Sequence, residues 1–162
     1  FTEPVPFNFG NNLVKIPSLD GKGKMSKSEN ENATLFLSDE DDIIRKKVMK
    51  AVTADIPLEE NAEKPEPIAN LFSLLQLVSA AETISKYEKD WHAKTIRFGD
   101  LKKQLAEDMV AFIAPIREQT KNLQIDTAYL QKVMKLGQDK ARESASKTIQ
   151  EARKLMGINF YC

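Results

Sequence analysis

A chain of 162 residues holds one domain, or one domain and part of a second, and is long enough to bury a core. With 41% hydrophobic and 30% charged residues it reads as soluble and globular rather than intrinsically disordered. Its 24 basic side chains equal its 24 acidic ones, so no global charge marks a nucleic-acid partner and any basic surface must come from local segregation. One cysteine, Cys162, leaves no internal disulfide, points to no zinc site and suits a reducing, cytoplasmic setting. The apolar runs fall short of the roughly 20 residues that a membrane span needs. Phe1-Thr2-Glu3-Pro4 has neither the basic head nor the apolar run of a signal peptide. It also lacks a starting Met, which leads to the expectation that the chain is cut from something longer.

Residues 1–38 carry Pro4, Pro6, Pro17, Gly10, Gly21 and Gly23 with a short apolar run, Leu13 to Ile16. These suit loops and a short strand, and Gly21 and Gly23 among lysines predict a mobile loop. From Ser38 the pattern turns helical. Ser38 and Asp41 resemble a capping box; Ile44, Val48, Ala51 and Val52 share one face, and Arg45, Lys46, Lys47 and Lys50 crowd the C-terminal half. Residues 56–66 read as a polar connector. Pro67 is placed to open a second helix at its first position, running through Val78 and apolar nearly all round, hence central and buried. A third helix is expected from Ala80 to Trp91.

A fourth helix is expected to start near Asp100, after Gly99. Its inner stripe is Leu101, Leu105, Met109, Phe112 and Ile116, and Pro115 is expected to kink it. Asp126 caps a last long helix ending at Gly157. Along it Gly137, Ala141, Ala145, Thr148 and Ala152 form a small-residue stripe that predicts close packing against a neighbouring helix. The fold expected is mainly α, a helical bundle.

The stretch with chemistry in it is Lys24-Met25-Ser26-Lys27-Ser28. It follows a glycine and offers two ammonium groups three residues apart, two hydroxyls and free backbone N–H groups, a set able to wrap a polyphosphate. It is not a Walker A loop, because Met follows Gly23-Lys24 and the glycine spacing differs. Most lysine-serine loops are solvated basic surface. This five-residue string, however, matches the second signature of class I aminoacyl-tRNA synthetases.

Within that class, longer stretches resemble tryptophanyl-tRNA synthetase: Ile16 through Ser28, Ile43 through Thr53, Asn70-Leu71-Phe72, Gly99 through Ala106 with Pro115 to Glu118, and Lys140 to Glu143 with Ala152 to Gly157. The resemblance covers about residues 13–158, and tyrosyl-tRNA synthetase is a weaker match. It implies that residues 1–38 are the C-terminal edge of a Rossmann-type catalytic domain including the signature loop. Residues 39–162 would then be an α-helical domain that receives the anticodon end of tRNA(Trp).

By position, the resemblance implies that Lys27 meets the departing phosphates of ATP and Lys24 is the second cation. Ser26, Ser28 and loop amides would bind phosphate oxygens, Met25 would anchor the loop, and Ile16 would lie near the adenine. Mg2+ would arrive with ATP, and no metal-ligand set is expected in the chain itself. The parent would be a homodimer, with contacts mainly in its catalytic domain, and this chain a monomer. The His-x-Gly-His-like signature of the family is missing: the single histidine, His92, lies between Trp91 and Ala93 and reads as an ordinary helix-end residue. The chain alone is therefore expected to make no adenylate. The alternatives are a stand-alone helical tRNA-binding module with a vestigial loop, and a purely structural helical adaptor. Between Lys135 and Lys154, six basic and three acidic residues give a local positive excess that could contact phosphates.

Overall fold

The computed structural model describes residue 3 and residues 15–28, 30–55, 59 and 62–158. A 3-10 turn, Glu31–Ala33, is followed by helices α1 (Asp41–Met49), α2 (Glu66–Val78), α3 (Ala81–His92), α4 (Phe98–Ile125) and α5 (Thr127–Leu155). The expected mainly α fold is what the chain adopts. No named strand occurs among the described residues, only an isolated antiparallel bridge between Pro17 and Lys24. Leu13 and Val14, half of the expected strand, lie outside the described residues. The chain divides into two compact units, Phe1–Arg117 and Glu118–Cys162.

The first unit is built on one apolar cluster. Ile44 and Val48 of α1, Ile68, Leu71, Phe72, Leu74 and Leu75 of α2, and Tyr87 and Trp91 of α3 contribute to it. Leu101, Leu105, Ala106, Met109, Val110 and Ile113 of α4 complete its helical part, and Leu19 and Ala33 join it from the loop region. Helix α2 gives five of its thirteen residues to this core, but Glu66, Gln76 and Leu77 are exposed, so it is not enclosed all round as its composition implied. The Trp91 indole N–H donates to the Ala62 carbonyl at 2.8 Å, which satisfies the one polar atom of the largest buried side chain.

Several boundaries differ from the sequence expectation. Helix α1 is preceded by Glu40 without a side-chain cap, so Ser38 is not its cap. A turn forms first, with the Asp39 N–H donating to the Phe36 carbonyl at 3.0 Å, and the Asp39 carboxylate is drawn to Lys47 instead of the helix end. Val52 lies beyond α1, exposed, and its N–H reaches the Leu19 carbonyl at 2.8 Å. Pro67 is the second residue of α2 rather than the first.

In α4 the inward face runs Leu101, Leu105, Met109, Ile113, at steps of four; Phe112 is 50% and Ile116 36% exposed. The expected stripe takes one step of three, from Met109 to Phe112, where the core face goes on by four to Ile113, and this leaves Phe112 and Ile116 at its edge. Helix α4 continues through Pro115 to Ile125.

In the second unit the Asp126 side chain caps α5 by accepting the Tyr129 N–H at 2.9 Å, and Gly157 follows the helix at φ 71°. Among the described residues, nothing packs closely along the expected stripe of Gly137, Ala141, Ala145, Thr148 and Ala152. Helix α5 buries no residue, and a methyl group added at Gly137 would meet nothing within 4 Å. Small side chains permit a neighbour to approach, but they offer little apolar area to drive it there.

Leu105 is fully buried and Phe112 half exposed, so truncating each tests the register of α4. Leu105→Ala is expected to lower the unfolding free energy of the 162-residue chain by about 2–5 kcal/mol, and Phe112→Ala by under about 1 kcal/mol. Urea unfolding followed by circular dichroism measures both; a larger loss at Phe112 would contradict the observed face.

Candidate functional site

The signature loop begins and ends on backbone hydrogen bonds that its sequence permits. The Met25 N–H donates to the Ile16 carbonyl at 2.8 Å and the Ser18 N–H to the Gly23 carbonyl at 3.2 Å, which with the Pro17–Lys24 bridge makes a narrow hairpin-like base. Gly21 and Gly23 turn the chain with φ of 75° and 62°, a region that side chains with a Cβ disfavour. At Gly21 there is a second reason for glycine: an added Cβ would come within 3.2 Å of the Pro67 ring. The loop tip therefore rests against the start of α2.

Asp20 organises the turn. Its carboxyl is held below its ordinary value of 3.8 by the Ser18 hydroxyl, the Lys22 backbone N–H at 3.1 Å and the Asn30 amide at 3.1 Å. The Ser18 hydroxyl also lies 3.3 Å from the Ala33 carbonyl, and its single proton serves one acceptor at a time. Asn30 in turn caps the short 3-10 turn by accepting the Asn32 N–H. Leu19 fastens the same corner to the core, its N–H donating to Ala33 at 3.0 Å.

Of the residues singled out in the sequence, Lys24, Lys27 and Ser28 are exposed and Ser26 is half-buried. The two hydroxyls, Ser26 and Ser28, stand 3.3 Å apart. Neither Lys24 nor Lys27 has an ion-pair partner among the described residues. Met25 packs against the core, and Ile16 meets Met25 through its carbonyl while its side chain is 46% exposed. No group of three or more metal-capable side chains occurs among the described residues.

Sequence reasoning missed the residues behind the loop. The Thr34 hydroxyl donates to the Ser26 carbonyl at 3.0 Å, and the Thr34 carbonyl accepts from Lys47 at 2.9 Å. Lys47 also pairs with Asp39 at 2.8 Å and lies 4.7 Å from the centre of the Phe36 ring. These contacts join residues eight to thirteen positions apart, across the 3-10 turn and the loop between it and α1, and no local pattern announces them.

Two of the basic residues that crowd the C-terminal half of α1 are engaged within the fold, while Lys46 and Lys50 are exposed. Lys47 is turned inward, and Arg45 makes a two-pronged contact with Glu107 of α4 at 2.8 and 3.0 Å. On α5, Lys135 pairs with Asp139 at 2.9 Å and Lys147 with Glu143 at 2.7 Å, whereas Lys140, Arg142, Arg153 and Lys154 have no ion-pair partner among the described residues. His92 is an exposed helix-end residue 3.8 Å from Glu88.

Residues 2–114 match the family profile of the tRNA synthetases class I (W and Y). The chain belongs to that family. Over 98% of its length this synthetase chain is 47% identical to the tryptophan-tRNA ligase of Porphyromonas gingivalis, covering 48% of that protein. Over 86% of its length it is 39% identical to the tryptophan-tRNA ligase of Helicobacter pylori strain 26695, covering 41% of it. The chain thus spans about half the length of the curated relatives it matches. Its fold matches the crystal structure of tryptophanyl-tRNA synthetase from Campylobacter jejuni complexed with ADP and tryptophan. That match has a TM-score of 0.69 at 22% identity and covers 91% of this chain and 44% of that one.

A carboxyl whose folded-state pKa lies below its ordinary value stabilises the fold above that value and loses the contribution as pH falls through the folded midpoint. Asp20 is accordingly expected to titrate below 3.8, and Asp20→Asn to flatten the loss of stability under acid. Carbon-detected NMR titration of the Asp20 carboxyl checks this; a midpoint at or above 3.8 would contradict the hydrogen-bonded turn.

Proposed function

We propose that this chain is the C-terminal part of a tryptophanyl-tRNA synthetase, supplying the ATP-phosphate loop and the helices that receive tRNA(Trp). What supports this reading is one observation above others: a loop fastened at its base presents Lys24 and Lys27 to solvent without a described ion-pair partner, in a chain whose curated relatives are tryptophan-tRNA ligases. A vestigial loop on a stand-alone module has no need of that arrangement, so the alternative is not favoured.

In the reaction proposed for the whole protein, the tryptophan carboxylate attacks the α-phosphorus of ATP. A bond forms between them, the bond to the pyrophosphate oxygen breaks, and that oxygen leaves with the electron pair. A tRNA 3′-terminal hydroxyl then takes the tryptophanyl group and releases AMP. Negative charge builds on the departing pyrophosphate, and cations and N–H groups already aimed there lower the barrier. Lys27 is assigned that charge, with Lys24 as the second cation. Ser26, Ser28 and the loop amides take phosphate oxygens, Met25 anchors the loop, and Ile16 lies near the adenine. Mg2+ comes bound to ATP and neutralises phosphate charge when present.

Residues 1–38 are read as the edge of the catalytic domain and 39–162 as the tRNA-binding part. On α5, Lys140, Arg142, Arg153 and Lys154 are the cations offered to tRNA phosphates. The setting is cytoplasmic, and the parent a homodimer.

In the full-length protein that carries this chain, Lys27→Ala is expected to lower tryptophan-dependent ATP–pyrophosphate exchange by about a hundredfold or more. An unchanged rate would remove Lys27 from the chemistry.

A further inference from the structure

Thr34 lies two residues before the Phe36–Asp39 turn that leads into α1 and is only 6% exposed. A buried threonine must satisfy its polar atoms, and each of its three has a partner. Its N–H donates to the Glu31 carbonyl at 3.3 Å, its carbonyl accepts the Lys47 ammonium at 2.9 Å, and its hydroxyl donates to the Ser26 carbonyl at 3.0 Å. Lys47 is fixed in turn by Asp39 at 2.8 Å, with both side chains only 11% and 12% exposed. Thr34 therefore stands on a fixed base and touches the signature loop at Ser26, the residue directly before Lys27.

The consequence follows from peptide geometry. The Ser26–Lys27 peptide is planar and trans, so its N–H points opposite to its carbonyl. Holding the Ser26 carbonyl toward buried Thr34 directs the Lys27 N–H away from the protein body. It also fixes the plane from which the Lys27 side chain departs.

We propose that Thr34, held by Lys47, is a positioning residue that aims the Lys27 amide and side chain at the phosphates of ATP. The proposal rests on the assignment of the loop to ATP and names what orients it. Thr34 touches no substrate; it acts through Ser26 and Lys27.

The test uses the full-length synthetase and tryptophan-dependent ATP–pyrophosphate exchange. Thr34→Val keeps the shape and removes the hydroxyl. It is expected to lower kcat/KM for ATP roughly fivefold to tenfold, the scale of one neutral hydrogen bond, and to leave KM for tryptophan unchanged. Thr34→Ser, which restores the hydroxyl, is expected to return the wild-type value. In a Lys27→Ala background, Thr34→Val is expected to have little further effect, because the group it positions is gone. Should Thr34→Val fail to fold, Thr34→Ala carries the same expectations.

Wild-type kinetics in the valine variant, a serine variant as impaired as the valine one, or a full additional loss in the Lys27→Ala background would each overturn the proposal. Lys27→Ala alone separates the two levels. If it leaves exchange unchanged, the loop assignment fails and the positioning role with it. If it abolishes exchange while Thr34→Val is silent, only the positioning role fails.

Discussion

The ammonium group of Lys47, drawn inward from α1, is the fixed point around which the loop region is arranged. Asp39 neutralises it, the Thr34 carbonyl accepts from it, and the Phe36 ring lies across from it. Taking such a charge out of water is unfavourable unless its partners are complete, and removing either member of the pair would strand the other. The pair specifies one geometry for residues 34–39. That segment contains no regular element, and propensity alone would not hold it. Arg117 of α4 closes the same corner, donating to the Asp39 carbonyl and the Asp41 carboxylate, with the Glu40 carboxylate 3.7 Å away.

From this corner outward, restraint gives way to freedom. The hairpin-like base, the Asp20 turn and the Thr34 hydroxyl fix the backbone of the loop, while Lys24, Lys27 and Ser28 remain exposed. The proposed role, in which this loop meets a polyphosphate, would benefit from this division. Donors held in place lose little freedom when the ligand arrives, and ammonium groups without an ion-pair partner among the described residues have no such pair to break first.

Much of this was legible in the sequence, for identifiable reasons. The helices carry strong apolar periodicity, and the caps at Asp126 and Gly157 are local chemistry that the structure repeats. The Lys24–Ser28 string could be singled out because it matches a known family signature; its residue types alone read as solvated basic surface. What could not be read were the long-range partners. Spacing puts Lys47 three residues after Ile44, beside the apolar face of α1, and Lys46 and Lys50 away from it, where they are exposed, but it does not name the carbonyl and carboxylate that Lys47 meets. Nor does spacing alone decide whether Phe112 or Ile113 faces the core, because an α-helical stripe accepts steps of three or four. The small-residue stripe on α5 states what could pack there, and small side chains alone do not say which neighbour would.

The most direct test of the central proposal, that the loop is a held frame whose exposed lysines meet ATP, is amide hydrogen exchange on the full-length protein with and without ATP and tryptophan. The account predicts that amides in residues 24–28 slow markedly when ATP is bound, while those of α5 do not change. Loop amides that exchange equally fast with and without saturating ATP would contradict it.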